Sequence, residues 1–518
     1  MTQESPRPSL APYPELAVSD LLAGAASTWP ERIALVDGIT DAEYTFARVW
    51  EASRGVARSL QDEGIEPGDR IGIVAPNSPE WVIAFHGALL AGATVTTLNP
   101  LYKEREITHQ FGDSEPKAVF VADATEATAR GVWGEKGGFH HTSDVWELAA
   151  GAAGDPAPLS IDPRTDLAAL PYSSGTTGAP KGVMLRHHNI TSNVQQIRGT
   201  GVIPDGSVMI DFLPFFHIYG LTVLMLCGLA SGSKQVVLPG FDPQRFVDLT
   251  QSHQATNLFV VPPALLALAN MGDQLGADLS SVRYVMSGAA PLPIDIARRV
   301  AEHYEVEVVQ GYGMTEASPV THISLLGQDK PGTVGPPVAD TRQKVVDLAT
   351  GEELGIGETG ELLVQGPQVM AGYYRRPDAT EETLLTDVDG VWLRTGDIVT
   401  VDEDAYVTIR DRAKEMIKYK GYQIAPAELE AVLIENADIA DAAVIPKDAG
   451  NGMDEIPKAF VVLREGATLS ADEVMAYVDE RVAPYKKVRE VAFVEAIPKN
   501  PSGKILRREL KEKERSSS

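Results

Sequence analysis

Residues 172 to 183 read Tyr-Ser-Ser-Gly-Thr-Thr-Gly-Ala-Pro-Lys-Gly-Val. Ser173, Ser174, Thr176 and Thr177 supply hydroxyls, while Gly175, Gly178 and Gly182 keep the stretch free of bulk. A loop with that many bare amide N–H groups can wrap a polyphosphate, and Lys181 adds a point charge. The obvious competitor is a Walker A loop, G-x-x-x-x-G-K-[ST]. It fails at two positions: Pro180 stands where the second glycine belongs, and Gly182 follows the lysine in place of the magnesium-binding hydroxyl. A plain surface turn is the bland alternative for any Gly/Ser/Thr cluster. The density of glycine and hydroxyls directly after the apolar run Leu167 to Leu170 favours the phosphate reading.

Four further stretches carry chemistry, none decisive by itself. In Gln310-Gly-Tyr-Gly-Met-Thr-Glu-Ala317, Gly311 and Gly313 let backbone approach a flat ligand, Tyr312 offers a ring, and Thr315 and Glu316 offer oxygens. A carboxylate such as Glu316 suits a magnesium ion that keeps waters and bridges to phosphates. Asp397, just past Gly396, can accept from ribose hydroxyls or simply sit in a surface turn. His217 is embedded in Phe215-Phe-His-Ile-Tyr-Gly220, where a satisfied core histidine is commoner than a catalyst. A carboxylate substrate is already ionised at neutral pH, so His217 has no general-base duty to perform. Lys499 and Lys504 lie on a Gly/Pro-rich turn near the end, which alone would be a solvated charge cluster.

The elements that must position these residues are legible as an alternation. Short runs at Arg70–Ala75, Ala93–Thr97, Lys117–Ala122, Lys234–Leu238, Asn257–Val261 and Val282–Met286 read as buried strands. Phe46–Glu63, Ser78–Leu90, Phe241–His253 and Pro293–Tyr304 read as helices, with Thr45 as an N-cap. Such alternation predicts an α/β fold with mostly parallel sheets. After Pro331, alternating segments at Lys344–Leu348, Gly360–Gln365 and Ala405–Arg410 predict a small antiparallel sheet or barrel-like part. A compact α+β pattern follows the charge run that begins at Asp411, and the tail Lys511 to Ser518 reads as disordered. The division expected is a large multi-layer N-terminal domain over 1–410 and a smaller C-terminal domain over 411–518.

Length and charge narrow the partners. At 518 residues the chain exceeds what one core organises. A formal charge of −27 argues against nucleic acid or an anionic membrane, so an anionic ligand needs a local basic pocket. The single cysteine, Cys227, rules out intrachain disulfides and fits a reducing compartment. The start of the chain lacks a signal-peptide pattern, and the apolar run Val82–Leu98 is broken by His86 and glycines. A cytoplasmic protein without a membrane span is expected.

In this order and at these intervals, the stations resemble the adenylate-forming superfamily of acyl-CoA synthetases, luciferases and adenylation domains, from about Asp20 to Leu510. Leu213–Tyr219, Ser287–Pro291 and Ile417–Glu428 look most like 4-coumarate–CoA ligases and their bacterial relatives. The resemblance implies a two-step ligase using ATP, Mg²⁺ and coenzyme A: a carboxylic acid becomes acyl-AMP with loss of pyrophosphate, then the CoA thiol displaces AMP. It implies that Ser173 to Lys181 cradle the outer phosphates, that Gly288, Ala289, Ala290 and Tyr312 frame the adenine, that Gln310, Gly311 and Gly313 also belong to the ATP site, and that Asp397 and Arg412 hold the ribose. Thr315 would contact the α-phosphate and Glu316 the metal. Lys504 would bridge carboxylate and α-phosphate, and His217 would act as a gate to the acyl pocket.

That pocket would be lined by Ile218, Tyr219, Thr222, Val260, Met286, Ser287, Gly288, Gly311, Gly313, Met314, Pro319 and Val320. Between steps the C-terminal domain would turn about Asp411. Lys504 would then withdraw, and Lys418, Lys420, Gly421 and Gln423 would face coenzyme A. Met286 departs from the plant ligases, which carry a lysine there that helps bind the ring hydroxyl, so an unsubstituted arene or an alkyl chain is favoured over a phenol. A cinnamate-like aryl acid leads, with a medium-chain fatty acid close behind. A stand-alone enzyme loading a phosphopantetheinyl carrier protein stays open, as does the oligomeric state.

Overall fold

The computed structural model describes residues 1–134, 136–173, 180–324, 326–412, 415–419, 422–448, 455–482, 484–500 and 503–517, with the backbone alone at 418, 422, 423, 516 and 517. Two eight-stranded sheets form the body. One runs in the order Val320–Ile323, Glu307–Gly313, Tyr284–Ser287, Asn257–Val260, Val208–Asp211, Lys234–Val237, Ile33–Asp37, Glu43–Thr45. It is parallel except at its two edges. The other is built around parallel Thr94–Thr97, Arg70–Val74, Ala118–Val121 and Gly138–His141, with Lys181–Arg186 antiparallel to Leu167–Ala169 beside them. Every strand expected before residue 310 lies in a parallel part, because strand and helix alternate and each crossover helix covers a sheet face. The small antiparallel part is a six-stranded sheet containing Arg342–Val346, Gly360–Gln365, Gly390–Val401 and Val407–Arg412.

Local chemistry sets the helix starts. Thr45 accepts from the Arg48 amide at 3.2 Å, and Ser78 from Trp81 at 3.2 Å with Pro79 following. Asp242 accepts from Arg245 at 2.8 Å, so the helix expected from Phe241 begins instead at Pro243. The buried core of the body runs from Val18 to Val407, while Ile417 to Val488 gather in a separate cluster around Ile424, Leu429 and Val461. The expected disordered tail needs correction: Arg507–Ser517 is a helix, and Ser518 lies outside the described residues. Leu510 is buried with Ile445, Phe460 and Ile497, and Glu514, one turn on, meets Lys458 at 2.6 Å and Lys447 at 2.9 Å. The density of charge in the tail hides that one docking face. Among the described residues no helix is long and apolar enough to cross a membrane.

Candidate active site

Three parallel strands end together where the stations meet. Val260 stands beside Ser287, and Ser287 beside Gln310, so the segments that follow all leave the carboxyl edge of one sheet. Open α/β sheets bind ligands at that edge. Gly288 lies against the Tyr219 ring, where an added Cβ would come within 3.2 Å of a ring carbon. At Gly311 an added Cβ would meet Met286 Sδ and Ile323 at an ordinary 3.5 Å, so the bare backbone leaves room there. Ile218, Thr222, Met286 and Val320 are buried around this space, and the Tyr219, Thr222 and Ser287 hydroxyls have no protein partner among the described residues. Buried orphans of this kind suit a site that receives water or a ligand.

The strand Glu307–Gly313 delivers Tyr312 to Asp397, donating to Oδ2 at 2.5 Å. Asp397 and Arg412 are paired across the antiparallel sheet, with Arg412 Nε 3.1 Å from Asp397 Oδ1. Burial, then the Asp397 charge, pushes the Tyr312 phenol well up, so it stays a donor. Gln310 donates to the Thr333 carbonyl at 3.1 Å, and Ala289 sits in the left-handed region at φ 70°. Thr315–Ala317 is a single turn, with Met314 N–H donating to the Pro319 carbonyl at 3.0 Å. Glu316 Oε1 accepts from the Tyr373 hydroxyl at 2.7 Å, and Lys181 Nζ lies 4.5 Å from the Tyr373 ring centroid. Tyr373 thus links the phosphate-loop lysine to the carboxylate. Sequence reading missed it, since a tyrosine in Ala371-Gly-Tyr-Tyr374 carries no motif.

The feet of the phosphate loop are joined: Tyr172–Ser173 pairs antiparallel with Lys181–Gly182. Ser174, Gly175, Thr176, Thr177 and Gly178, between those feet, lie outside the described residues. His217 is half-buried, its Nδ1 accepting from the Tyr219 amide at 3.3 Å. Burial first, and then the Lys504 ammonium, lowers its pKa to about 4, which keeps the imidazole neutral and its other nitrogen protonated. Asn77 fixes the approach to His217 by donating to the Leu213 carbonyl at 2.8 Å and accepting from Phe215 at 2.7 Å.

Lys504 comes from the small C-terminal unit into this site. Its turn is closed by Asn500, which accepts the Lys504 amide at 2.8 Å, and Gly503 packs so tightly on Pro263 that an added Cβ would sit 2.9 Å from Cδ. Burial, then the Arg412 charge, lowers the Lys504 pKa to about 8, against the opposing pull of Glu415 and Asp397. Lys499 is not part of a solvated cluster, since it pairs with Asp441 at 2.6 Å. Arg507, one turn beyond Lys504, holds Glu415 at 2.5 Å and Glu430 at 2.6 Å. Asp411 is buried and accepts from the Ala427 amide at 3.1 Å; burial pushes its pKa to about 7. Lys418 and Gln423 face each other across the hairpin Ile417–Tyr419 and Tyr422–Ile424. Lys420 and Gly421 lie outside the described residues, as do the side chains of Lys418 and Gln423.

Matches to known protein families cover two stretches of the chain. The family model for the AMP-binding enzyme covers residues 22–374, and that for the AMP-binding enzyme C-terminal domain covers 428–504. The chain belongs to this family. It is 40% identical to 4-coumarate–CoA ligase 5 of Oryza sativa subsp. japonica over 523 residues, spanning 98% of this chain and 96% of the relative. It is 42% identical to 4-coumarate–CoA ligase 2 of Nicotiana tabacum, over 94% and 92% of the two chains. With the peroxisomal OPC-8:0-CoA ligase 1 of Arabidopsis thaliana the identity is 40%, over 97% and 94%. These relatives are from plants, whereas the motif reading leaned towards bacterial ones.

Among solved structures, ATP-bound MatB from Rhodopseudomonas palustris superposes with a TM-score of 0.87 at 29% identity, over 96% of this chain and 99% of that one. The O-succinylbenzoate coenzyme A synthetase of Bacillus subtilis in complex with AMP superposes at 0.84 and 28%, over 96% and 98%. The protein is an acid–thiol ligase of the AMP-forming type, using ATP, magnesium and coenzyme A with a carboxylic acid. Among the described residues no cluster of three or more His, Cys, Asp or Glu forms a metal cage. A single hard carboxylate such as Glu316, held by the Tyr373 hydroxyl, fits a magnesium ion that keeps most of its waters and bridges to the nucleotide's own phosphates.

Proposed function

We propose that the acid is a cinnamate-like aryl acid and that the sequence-stated roles hold residue by residue. The observation that carries the aryl reading is the slot bounded by the Tyr219 ring against Gly288 and by Met286 against Gly311. A flat face, bare backbone and an apolar sulfur suit an arene that brings no hydroxyl to the Met286 end. In the first step the carboxylate oxygen forms a bond to the α-phosphorus of ATP while the bond to the pyrophosphate oxygen breaks. Two anions meet, so positive charge must be aimed at their junction. Lys504 supplies it in this reading, and its position beside His217 and Arg412 supports that role. Glu316 would hold magnesium, which would supply positive charge for the departing pyrophosphate. Thr315 holds the α-phosphate, Asp397 and Arg412 the ribose, and neutral His217 shapes the entrance.

In the second step the CoA thiol attacks the acyl carbon, expels AMP, and gives its proton to solvent. We place the division between the two units at residues 410 and 411, with Asp411 as hinge, and the hairpin around Gly421 against the pantetheine arm. A cytoplasmic location is part of the same reading. The relative named for OPC-8:0 keeps an alkyl acid as the second candidate, and a carrier protein's phosphopantetheine remains an alternative acceptor. ATP–pyrophosphate exchange with cinnamate, 4-coumarate, benzoate and octanoate, followed by CoA against holo-carrier protein, tests the choice of acid and acceptor. Cinnamate should give the highest kcat/KM with CoA as acceptor. Octanoate ahead by tenfold or more would replace the aryl reading with the alkyl one.

A further inference from the structure

In the proposed reading the turn Thr315 to Val320 serves both ends of the reaction, with Glu316 at the metal end and Val320 at the acyl pocket. Behind it runs the helix His187–Gly199, whose buried face carries amides where aliphatic side chains would be ordinary. Asn193 is 0% exposed and grips Val320 at both backbone groups: Nδ2 donates to the Val320 carbonyl at 2.8 Å, and Oδ1 accepts the Val320 amide at 3.0 Å. The same Nδ2 group reaches Gln196 Oε1 at 3.0 Å, and Gln196 passes the chain to Gln368 at 3.1 Å. The Gln368 carbonyl accepts from Ser318 at 2.9 Å, and two residues on, Met370 N–H donates to the Glu316 carbonyl at 2.8 Å. A buried amide is costly unless all its groups are paired, and Asn193 spends its on the Val320 backbone and on Gln196, which in turn also donates to the Ala339 carbonyl at 2.7 Å. A leucine would fill the same space without a pattern of donors and acceptors.

We propose that Asn193 is a positioning residue for acid recognition: it fixes Val320 as the wall of the acyl pocket, acting through the backbone and touching no substrate. The inference rests on the assignment of Val320 to that pocket. Asn193→Ala and the isosteric Asn193→Asp, in the full chain, are assayed by ATP–pyrophosphate exchange with cinnamate alongside Val320→Ala. With one or two buried hydrogen bonds lost, the KM for cinnamate should rise about tenfold while that for MgATP stays within about twofold. Where the alanine variant melts without a cooperative transition, the aspartate variant carries the test. Both KM values unchanged, both raised alike, or a fall in kcat alone would overturn the proposal, because a purely structural role predicts no split. If Val320→Ala moves the cinnamate KM and the Asn193 variants do not, the inference alone falls; if Val320→Ala moves nothing, the pocket assignment falls and takes the inference with it.

Discussion

At the scale of single residues, the electrostatics of Lys504 make a sharper statement than its presence in a motif. Burial and the Arg412 charge hold the charged form of Lys504 at a cost that Glu415 and Asp397 offset only in part, and that a bound anion would offset further. Lys504→Ala should lower pyrophosphate exchange by about 10²–10³, the loss expected for a donor aimed at developing charge. Thioester formation from supplied acyl-AMP should survive; an equal loss in both half-reactions would remove Lys504 from the first step. The pH dependence has a definite sign. With a pKa lowered to about 8, the protonated form dominates below that value, so adenylation kcat/KM should be level there and fall above it. Bound ATP adds negative charge and raises the pKa, which moves the limb for kcat to higher pH. The residual rate of Lys504→Ala should lack the limb. Lys504, Glu316 and Asp397 could be singled out as candidates because each sits in a motif of the family; Tyr373 and Asn193 could not, because their contacts reach across 57 and 127 positions.

Elements were readable where burial is apolar and hidden where it is polar. Asn257–Val260 and Tyr284–Ser287 announced themselves as β-branched or aromatic runs, and helix ends fell at Thr45 and Ser78 because those side chains cap. The helix His187–Gly199 gave no such signal, since Asn189, Asn193 and Gln196 occupy its buried positions. The run Leu221–Leu229 was visible as apolar but not as the wide π-helical turn Tyr219–Leu226 that carries the pocket's Tyr219 and Thr222. The strand Glu307–Gly313 shows how an element enforces the site. A Cβ at Gly313 would lie 2.0 Å from the Pro319 carbonyl oxygen, which Met314 already holds, so the Thr315 turn would have to shift. Gly313→Ala should therefore cost exchange about 10²-fold, the penalty of an ångström-scale misplacement. Gly311→Ala, with ordinary contacts of 3.5 Å, should instead keep the ATP KM and raise the acid KM by narrowing the slot. Similar losses from the two variants would show that neither glycine is there for the geometry argued.

At the scale of the molecule, the proposed reading has the arrangement seen serve the first half-reaction and the small unit turn for the second. Two contacts meet at the join. Arg412 is tied back to Asp397 of the large body, and Asp411 is tied forward to the amide of Ala427 at the start of the helix Pro426–Ile434. In the proposed reading, rotation at this join breaks the forward contact and changes the backbone angles of Asp411 and Arg412, a hinge of a very few dihedrals. Asp411→Pro fixes φ near −65° and so removes one of them. Asp411→Ala also loses the carboxylate but leaves φ free, and the comparison separates the hinge from the hydrogen bond. The proline variant should retain pyrophosphate exchange within a few-fold and lose CoA transfer by about tenfold or more, as a gated step does when its hinge stiffens. The alanine variant should keep both. Rapid-quench measurement of acyl-AMP decay on adding CoA reads the transfer step directly. Equal transfer rates in the two variants would move the pivot away from Asp411, and loss of exchange in both would mean that the carboxylate holds the first arrangement together rather than releasing it.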